Sequence, residues 1–270
     1  MKIIDAHMHD YQNSPYFDQI TRDAGHENSE EHLRQVYRQL GIVGGVVMGN
    51  GGLSLQEHCY PDFLHYCIGL DSSCFADGRL PDCADLVEAH LQRQNCVGIK
   101  LYPGYSYYYV FDKVYDPFYR LAQKYQKPVA IHTGDTSMET AILKYAHPLT
   151  LDEAAVRWPK VQFVMCHFGN PWLTDAAEVV AKNPNVAADL SGWAVGRFSL
   201  GDFADQYSGY LQQLRTWTGY VGDYSQLMFG TDWPLVNLSD YIDLIRYLIP
   251  ERAQEQVFFK NANRIWALGL

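Results

Sequence analysis

The six cysteines of this 270-residue chain, Cys59, Cys67, Cys74, Cys83, Cys96 and Cys166, include no pair in C-x-x-C spacing. A chain of this length needs no disulfide staples, so free thiols in a reducing compartment are expected. Long apolar runs are missing as well. Gly, Asp or His interrupts every hydrophobic stretch before the roughly 20 residues that a membrane-spanning helix requires. The first residues reach Asp5 and His7 too soon to contain the apolar stretch of a secretory signal. A cytoplasmic protein without membrane contact is therefore expected. Positive charge is in short supply: 21 Lys and Arg against 31 Asp and Glu leave a formal charge of −10. That balance argues against nucleic acid or anionic lipid as a partner, while leaving room for a local cationic pocket. No linker, low-complexity tract or repeat divides the chain, so residues 1–270 are read as one domain.

What is present is a globular composition, 47 % hydrophobic and 19 % charged, arranged as eight short apolar runs, each followed by a longer amphipathic stretch. The runs are Ile3–His9, Ile42–Met48, Leu64–Leu70, Val97–Tyr102, Pro128–His132, Val161–His167, Val186–Leu190 and Leu227–Asp232. Most are nearly continuous in apolar residues, as strands covered on both faces are. Helices are expected over Ser29–Leu40, Cys83–Gln94, Pro117–Tyr125, Leu151–Arg157, Thr174–Lys182, Phe203–Thr216 and Tyr241–Leu248, with Ser29 and Thr150 as capping hydroxyls. Eight units at this spacing predict an α/β fold, a (β/α)8 TIM barrel. An open doubly wound sheet would usually carry a Gly-rich phosphate turn after its first strand. Here that position reads His7-Met8-His9-Asp10.

In a parallel barrel the loops after the strands share one rim, where catalytic groups gather. His7 and His9 end the first run, Lys100 lies near the end of the fourth, and His132, His167 and Asp232 end the fifth, sixth and eighth. Strand side chains alternate with period two, so His7 and His9 share a face, with backbones roughly 6.6 Å apart. Two imidazoles so placed can meet at one ion, and His132 and Asp232 can complete a site that keeps room for water. Any one of these histidines alone would be read as a hydrogen-bonded structural group. Their coincidence at one barrel end points to a metal. His26, His58 and His147 fall in helices or loops and are expected to be structural or solvated.

The blocks Ile4-Asp5-Ala6-His7-Met8-His9, Ala130-Ile131-His132-Thr133-Gly134, Met165-Cys166-His167-Phe168-Gly169 and Phe229-Gly230-Thr231-Asp232-Trp233-Pro234 resemble, in order, the signatures of the amidohydrolase superfamily. The nearest branch is the amidohydrolase-2 group, which contains aminocarboxymuconate-semialdehyde decarboxylase and related small hydrolases and lactonases. The tail Lys260-Asn261-Ala262-Asn263-Arg264-Ile265 is similar to that branch's closing helix. The resemblance implies a single divalent ion, zinc or else manganese, held by His7, His9, His132 and Asp232. It implies a general acid or base at His167, with Asp232 sharing the proton as well as ligating. A zinc ion can lower the pKa of its water to about 7. Binuclear relatives carry a carboxylated lysine at the fourth strand; for Lys100 an ammonium that binds a substrate carboxylate or pairs with an acid is preferred.

The loop Tyr102-Pro103-Gly104-Tyr105-Ser106-Tyr107-Tyr108-Tyr109 is dense in rings that could wall a substrate pocket or pack over the rim. Trp172, Trp193 and Trp233 could extend the wall, and Arg197 could clamp a carboxylate. Two activities stay open. One is a metal-dependent hydrolase acting on an amide, ester or lactone of a small, carboxylated substrate. The other is a non-oxidative decarboxylase of a small aromatic or unsaturated acid. A ligand-binding protein without turnover is a third reading, from a different class. A small molecule is the expected partner, and assembly into a homo-oligomer is left open.

Overall fold

A computed structural model of the chain describes residues 1–10, 14–49, 52–70, 72–75 and 80–270. Its strands are β1 (Ile3–Met8), β2 (Ile42–Met48), β3 (Leu64–Leu70), β4 (Cys96–Leu101), β5 (Val129–Ile131), β6 (Phe163–Met165), β7 (Val186–Asp189) and β8 (Leu227–Met228). They pair in sequence order, every pair parallel. The seam between first and last is drawn together by the Ala6 amide donating to the Phe229 carbonyl at 2.9 Å and by a Met8–Trp233 bridge. This is the TIM barrel that the eight runs predict.

Alternation sorts the strands into two cores. Val46, Cys67, Val97, Ala130, Val164, Ala187 and Met228 form an inner cluster with Ile4 and Ala6, closed by Ile265 and Trp266 of the C-terminal helix. Their outward neighbours, such as Ile99, Val129, Ile131, Phe163 and Met165, pack beneath the surrounding helices. Gly98 is needed at this closure, because a Cβ there would stand 2.9 Å from the Trp266 ring and 2.7 Å from the Pro128 carbonyl oxygen.

The predicted strands are too long at six carboxyl ends: β1 stops before His9, β4 before Tyr102, β5 before His132, β6 before His167, β7 before Leu190, and β8 well before Asp232. The backbone leaves the ladder where it has to aim a side chain, and His167 (φ 61°) and Asp232 (φ 59°) both adopt left-handed conformations, which are sparsely populated by residues with a Cβ. Helices Glu30–Leu40, Asp116–Tyr125 and Leu173–Lys182 match expectation within a residue, and Ser29 accepts from the His32 amide as a cap should. Thr150 is not a cap. The helix begins at Leu149 after Pro148, and the Thr150 hydroxyl donates to the His147 carbonyl. The expected Phe203–Thr216 helix is two, Leu200–Gln206 and Ser208–Tyr220, parted at Tyr207 where φ is −115°. Helix Pro15–Asp23, unforeseen, follows β1 at the rim. Among the described residues no helix is long and apolar enough to cross a membrane.

Candidate active site

In β1, Ile3 faces outward, Ile4 and Ala6 inward, and Asp5 outward to the Tyr37 hydroxyl at 3.0 Å. Strict alternation would send His7 outward too. A register shift between Asp5 and Met8 interrupts it, as a β-bulge does when it re-aims a side chain. Met8 takes the outward place, while His7 and His9 line a cleft at the carboxyl ends of the strands. The cleft has a volume of about 1300 Å³, and its floor includes Lys100, His132, His167 and Asp232.

Hydrogen bonds assign the protons on the imidazoles. His7 Nδ1 lies 2.8 Å from Asp189 Oδ2, and His9 Nδ1 lies 3.0 Å from the Met48 carbonyl. A carboxylate or carbonyl oxygen can only accept, so both Nδ1 atoms carry hydrogen and both Nε2 atoms present lone pairs. Those lone pairs converge on Asp232 Oδ1, at 3.4 Å from His7 Nε2 and 3.2 Å from His9 Nε2. His7 Nε2 and Asp232 Oδ1 are fully buried without a hydrogen-bond partner. Two buried acceptors such as His7 Nε2 and Asp232 Oδ1, facing each other with no hydrogen bond, repel unless a cation stands between them. The donor set, two imidazoles and a carboxylate with the first imidazole backed by a second carboxylate, suits a divalent ion of zinc or manganese type.

His167 and His132 stand on the other side of this group. His7, His167 and Asp232 offer ligand atoms all within 4.8 Å of one another. The His132 ring is 5.1 Å from that of His167, and its Nε2–H donates to the Asp135 carbonyl at 2.9 Å, leaving Nδ1 with the lone pair. His167 Nδ1 donates to Ser191 Oγ at 2.9 Å, and that hydroxyl donates to Asp189 Oδ1 at 2.5 Å. Asp189 thus orients His7 directly and His167 through Ser191, and it also accepts from the His167 amide at 3.0 Å. Burial pushes the imidazoles of His7, His132 and His167 below the ordinary histidine range, His7 to about 4. Burial also lifts the carboxyls of Asp189 and Asp232. At Asp189 the hydrogen-bonded His7 more than offsets that; at Asp232 positive charge on His167, His9 and His7 does so, and with those imidazoles neutral the place of that charge falls to a cation.

Lys100 is fully buried, and its Nζ donates to Cys166 Sγ at 2.8 Å. Among the described residues no acid lies within ion-pairing distance of it, so the expected pairing with a neighbouring acid is not seen. Tyr102, Tyr105, Tyr107 and Tyr108 line the cleft. The tryptophans do not. Trp172 lies tilted against His147, Trp193 donates to the His167 carbonyl, and Trp233 lies against His26. Arg197 is exposed and packs against Gly25, away from the cleft. His58 is structural, bonded to Tyr60 and the Gly52 carbonyl, and His26 pairs with His32. Sequence reasoning missed Asp189, Ser191 and Cys166; the only readable signal was Asp189, the one charged residue of the seventh apolar run.

A family model described as amidohydrolase matches residues 4–268. The chain belongs to the amidohydrolase family. Three solved structures show the same fold over essentially the whole length. An uncharacterised TIM-barrel protein from Bordetella bronchiseptica shares 20 % identity, with 99 % of each chain covered and a TM-score of 0.70. An amidohydrolase from Burkholderia multivorans with bound zinc shares 14 %, with 99 % of each covered and a TM-score of 0.68. A dihydroxybenzoic acid decarboxylase from Polaromonas sp. JS666, with bound manganese and the inhibitor 2-nitroresorcinol, shares 13 %, with 100 % of this chain and 98 % of that one covered and a TM-score of 0.66. No curated protein matches the chain in sequence. Family and neighbours mark it as an enzyme of the amidohydrolase superfamily.

Proposed function

We propose that the chain is a metal-dependent hydrolase acting on an amide, ester or lactone of a carboxylated substrate. The observation that carries this reading is that His7 Nε2 and Asp232 Oδ1, 3.4 Å apart, are both buried without a hydrogen-bond partner, with His9 Nε2 3.2 Å from the same carboxylate oxygen. These three atoms, with His132, would hold one divalent ion, zinc or manganese. When bound, such an ion supplies Lewis acidity and a water ionised near neutral pH. The protein's own groups do the rest. His167 is neutral at pH 7 and held by Ser191 with Nε2 unprotonated, so it can take a proton at that atom and return it to a leaving group. Asp232 would share the ion with His7 and His9, whose rings Asp189 and the Met48 carbonyl hold in place. Lys100, a desolvated ammonium on the cleft floor, suits a substrate carboxylate.

That ammonium equally favours a second reading, non-oxidative decarboxylation of an aromatic or unsaturated acid, in which the proton carried by His167 replaces carbon dioxide. Turnover assays that follow both ring opening and carbon dioxide release over lactones and aromatic acids separate the two. Carbon dioxide release without water consumption would overturn the hydrolase. The ligand roles are tested by metal content. His9→Ala and His132→Ala should emerge without metal, and His167→Ala should keep it with lower turnover. Metal loss in His167→Ala and retention in His132→Ala would instead make the compact His7–His167–Asp232 group the seat.

A further inference from the structure

The cleft is larger and less polar than a small carboxylate needs. Its volume of about 1300 Å³ exceeds the roughly 300–1,000 Å³ of pockets that enclose drug-sized ligands. The floor carries the imidazoles, Asp232 and Lys100, the one Lys or Arg among the lining residues, while the walls set Phe17, Ile20, Phe75, Met138, Val195 and Leu235 and the tyrosines among a few polar groups, Asp135, Ser137, Thr140 and Asn170.

Three of the lining tyrosines add ring surface with their polar ends already engaged. Tyr102 donates to the Gly49 carbonyl at 3.0 Å, Tyr105 accepts from the Ser137 amide at 3.0 Å, and Tyr107 donates to the Thr140 carbonyl at 2.7 Å. The last two bonds stitch the loop after β4 to the loop after β5, so this wall is braced. Met138 and Val195 are 56 % and 70 % exposed although they border the cleft, an apolar surface left open to water beside a charged floor.

Resting on the reading of the floor as a carboxylate and metal site, we propose that the substrate is an amphiphilic acid. Its carboxylate-bearing head reaches Lys100 and the imidazoles, and an extended apolar tail of several methylenes or a second ring fills the chamber above. The tail gains affinity by leaving water, and the head is held by the single cation of the lining.

The test is calorimetric titration of the full-length, zinc-loaded chain with benzoate, 4-butylbenzoate and 4-octylbenzoate below their aggregation concentrations. Each fully buried methylene is worth up to about fourfold in affinity. Binding is expected to tighten at least about tenfold from benzoate to 4-butylbenzoate and further to 4-octylbenzoate. The double variant Met138→Gln/Val195→Thr, which adds polarity without charge, should lose most of that gain, with benzoate, too short to reach these positions, as the reference measured beside it. Equal affinities across the series, no binding by any member, or a gain undiminished in the variant would overturn the proposal. Zinc content, measured separately, reports on the metal reading alone: a chain that takes up no zinc yet shows the tail-dependent gain would sink the metal and spare the chamber.

Discussion

Asp189 is the residue on which the geometry of both His7 and His167 depends. It is fully buried, accepts from His7 Nδ1, Ser191 Oγ, the His167 amide and the Ser191 amide, and touches neither the cleft nor Asp232 in doing so. Groups that orient a metal-binding or proton-carrying imidazole through its far nitrogen are worth about 10–100-fold in affinity or activity. The two histidines can be separated by mutation because Ser191 stands between Asp189 and His167 alone. Ser191→Ala removes the acceptor of His167 Nδ1–H and one of the donors to Asp189, while the direct bond from His7 to Asp189 remains. Zinc affinity, read by competition with a chromophoric chelator, should stay within about twofold, and turnover should fall about 10–100-fold. Ser191→Thr should restore much of it. A fall in zinc affinity matching the fall in turnover would show that His167 ligates.

At the scale of elements, the barrel's weakest join is the short β8 against β1, and Asp5 reinforces it. Its carboxylate collects the Thr231 hydroxyl at 2.6 Å, the Thr231 amide at 3.0 Å and the Tyr37 hydroxyl at 3.0 Å, tying the loop that delivers Asp232 to strand and helix. Every one of these partners donates, so Asp5→Asn turns an amide NH2 toward donors. It should lower the unfolding free energy by about 1–3 kcal/mol, the cost of a buried polar group left without its partner; an unchanged urea midpoint would contradict this. The join also shows how far sequence reaches. Strand order, barrel closure and the residues gathered at the rim were legible, because apolar runs and the histidines that end them follow from local chain order. The β1 bulge, the left-handed His167 and Asp232, and the turn at Tyr207 were not, since each is set by what packs across the rim. Arg197 and the three tryptophans misled for the same reason. Position after a strand says that a side chain is near the rim, not which way it points.

The whole molecule has a pH dependence written in its buried histidines. Burial holds His90, His26 and His7 near about 4, and only His7 belongs to the cleft. His90 is fully buried with both nitrogens in use, Nδ1 beside the Tyr66 hydroxyl at 2.8 Å and Nε2–H on the Leu53 carbonyl at 3.1 Å. His26 Nε2 accepts the Leu238 amide while Nδ1 donates to His32. In the unfolded chain these groups take a proton near pH 6.5; in the folded chain they refuse it until about 4. Stability present above pH 6.5 is therefore lost as pH falls toward 4, by up to about 1.4 kcal/mol per pH unit for each proton. Asp5 runs the other way. Burial raises its carboxyl to about 7, so the folded chain holds that proton between about pH 7 and the ordinary carboxylate range and gains stability as pH drops through that window. Three histidines against one carboxyl leave a net loss, and the melting temperature of the metal-free chain should fall by roughly 5–10 °C between pH 7 and pH 5. His90→Gln can still accept from Tyr66 and donate to Leu53, but it cannot titrate. It should therefore flatten the acid limb by one proton even where it lowers stability at pH 7, and identical slopes in the two proteins would mean that His90 does not resist protonation in the fold.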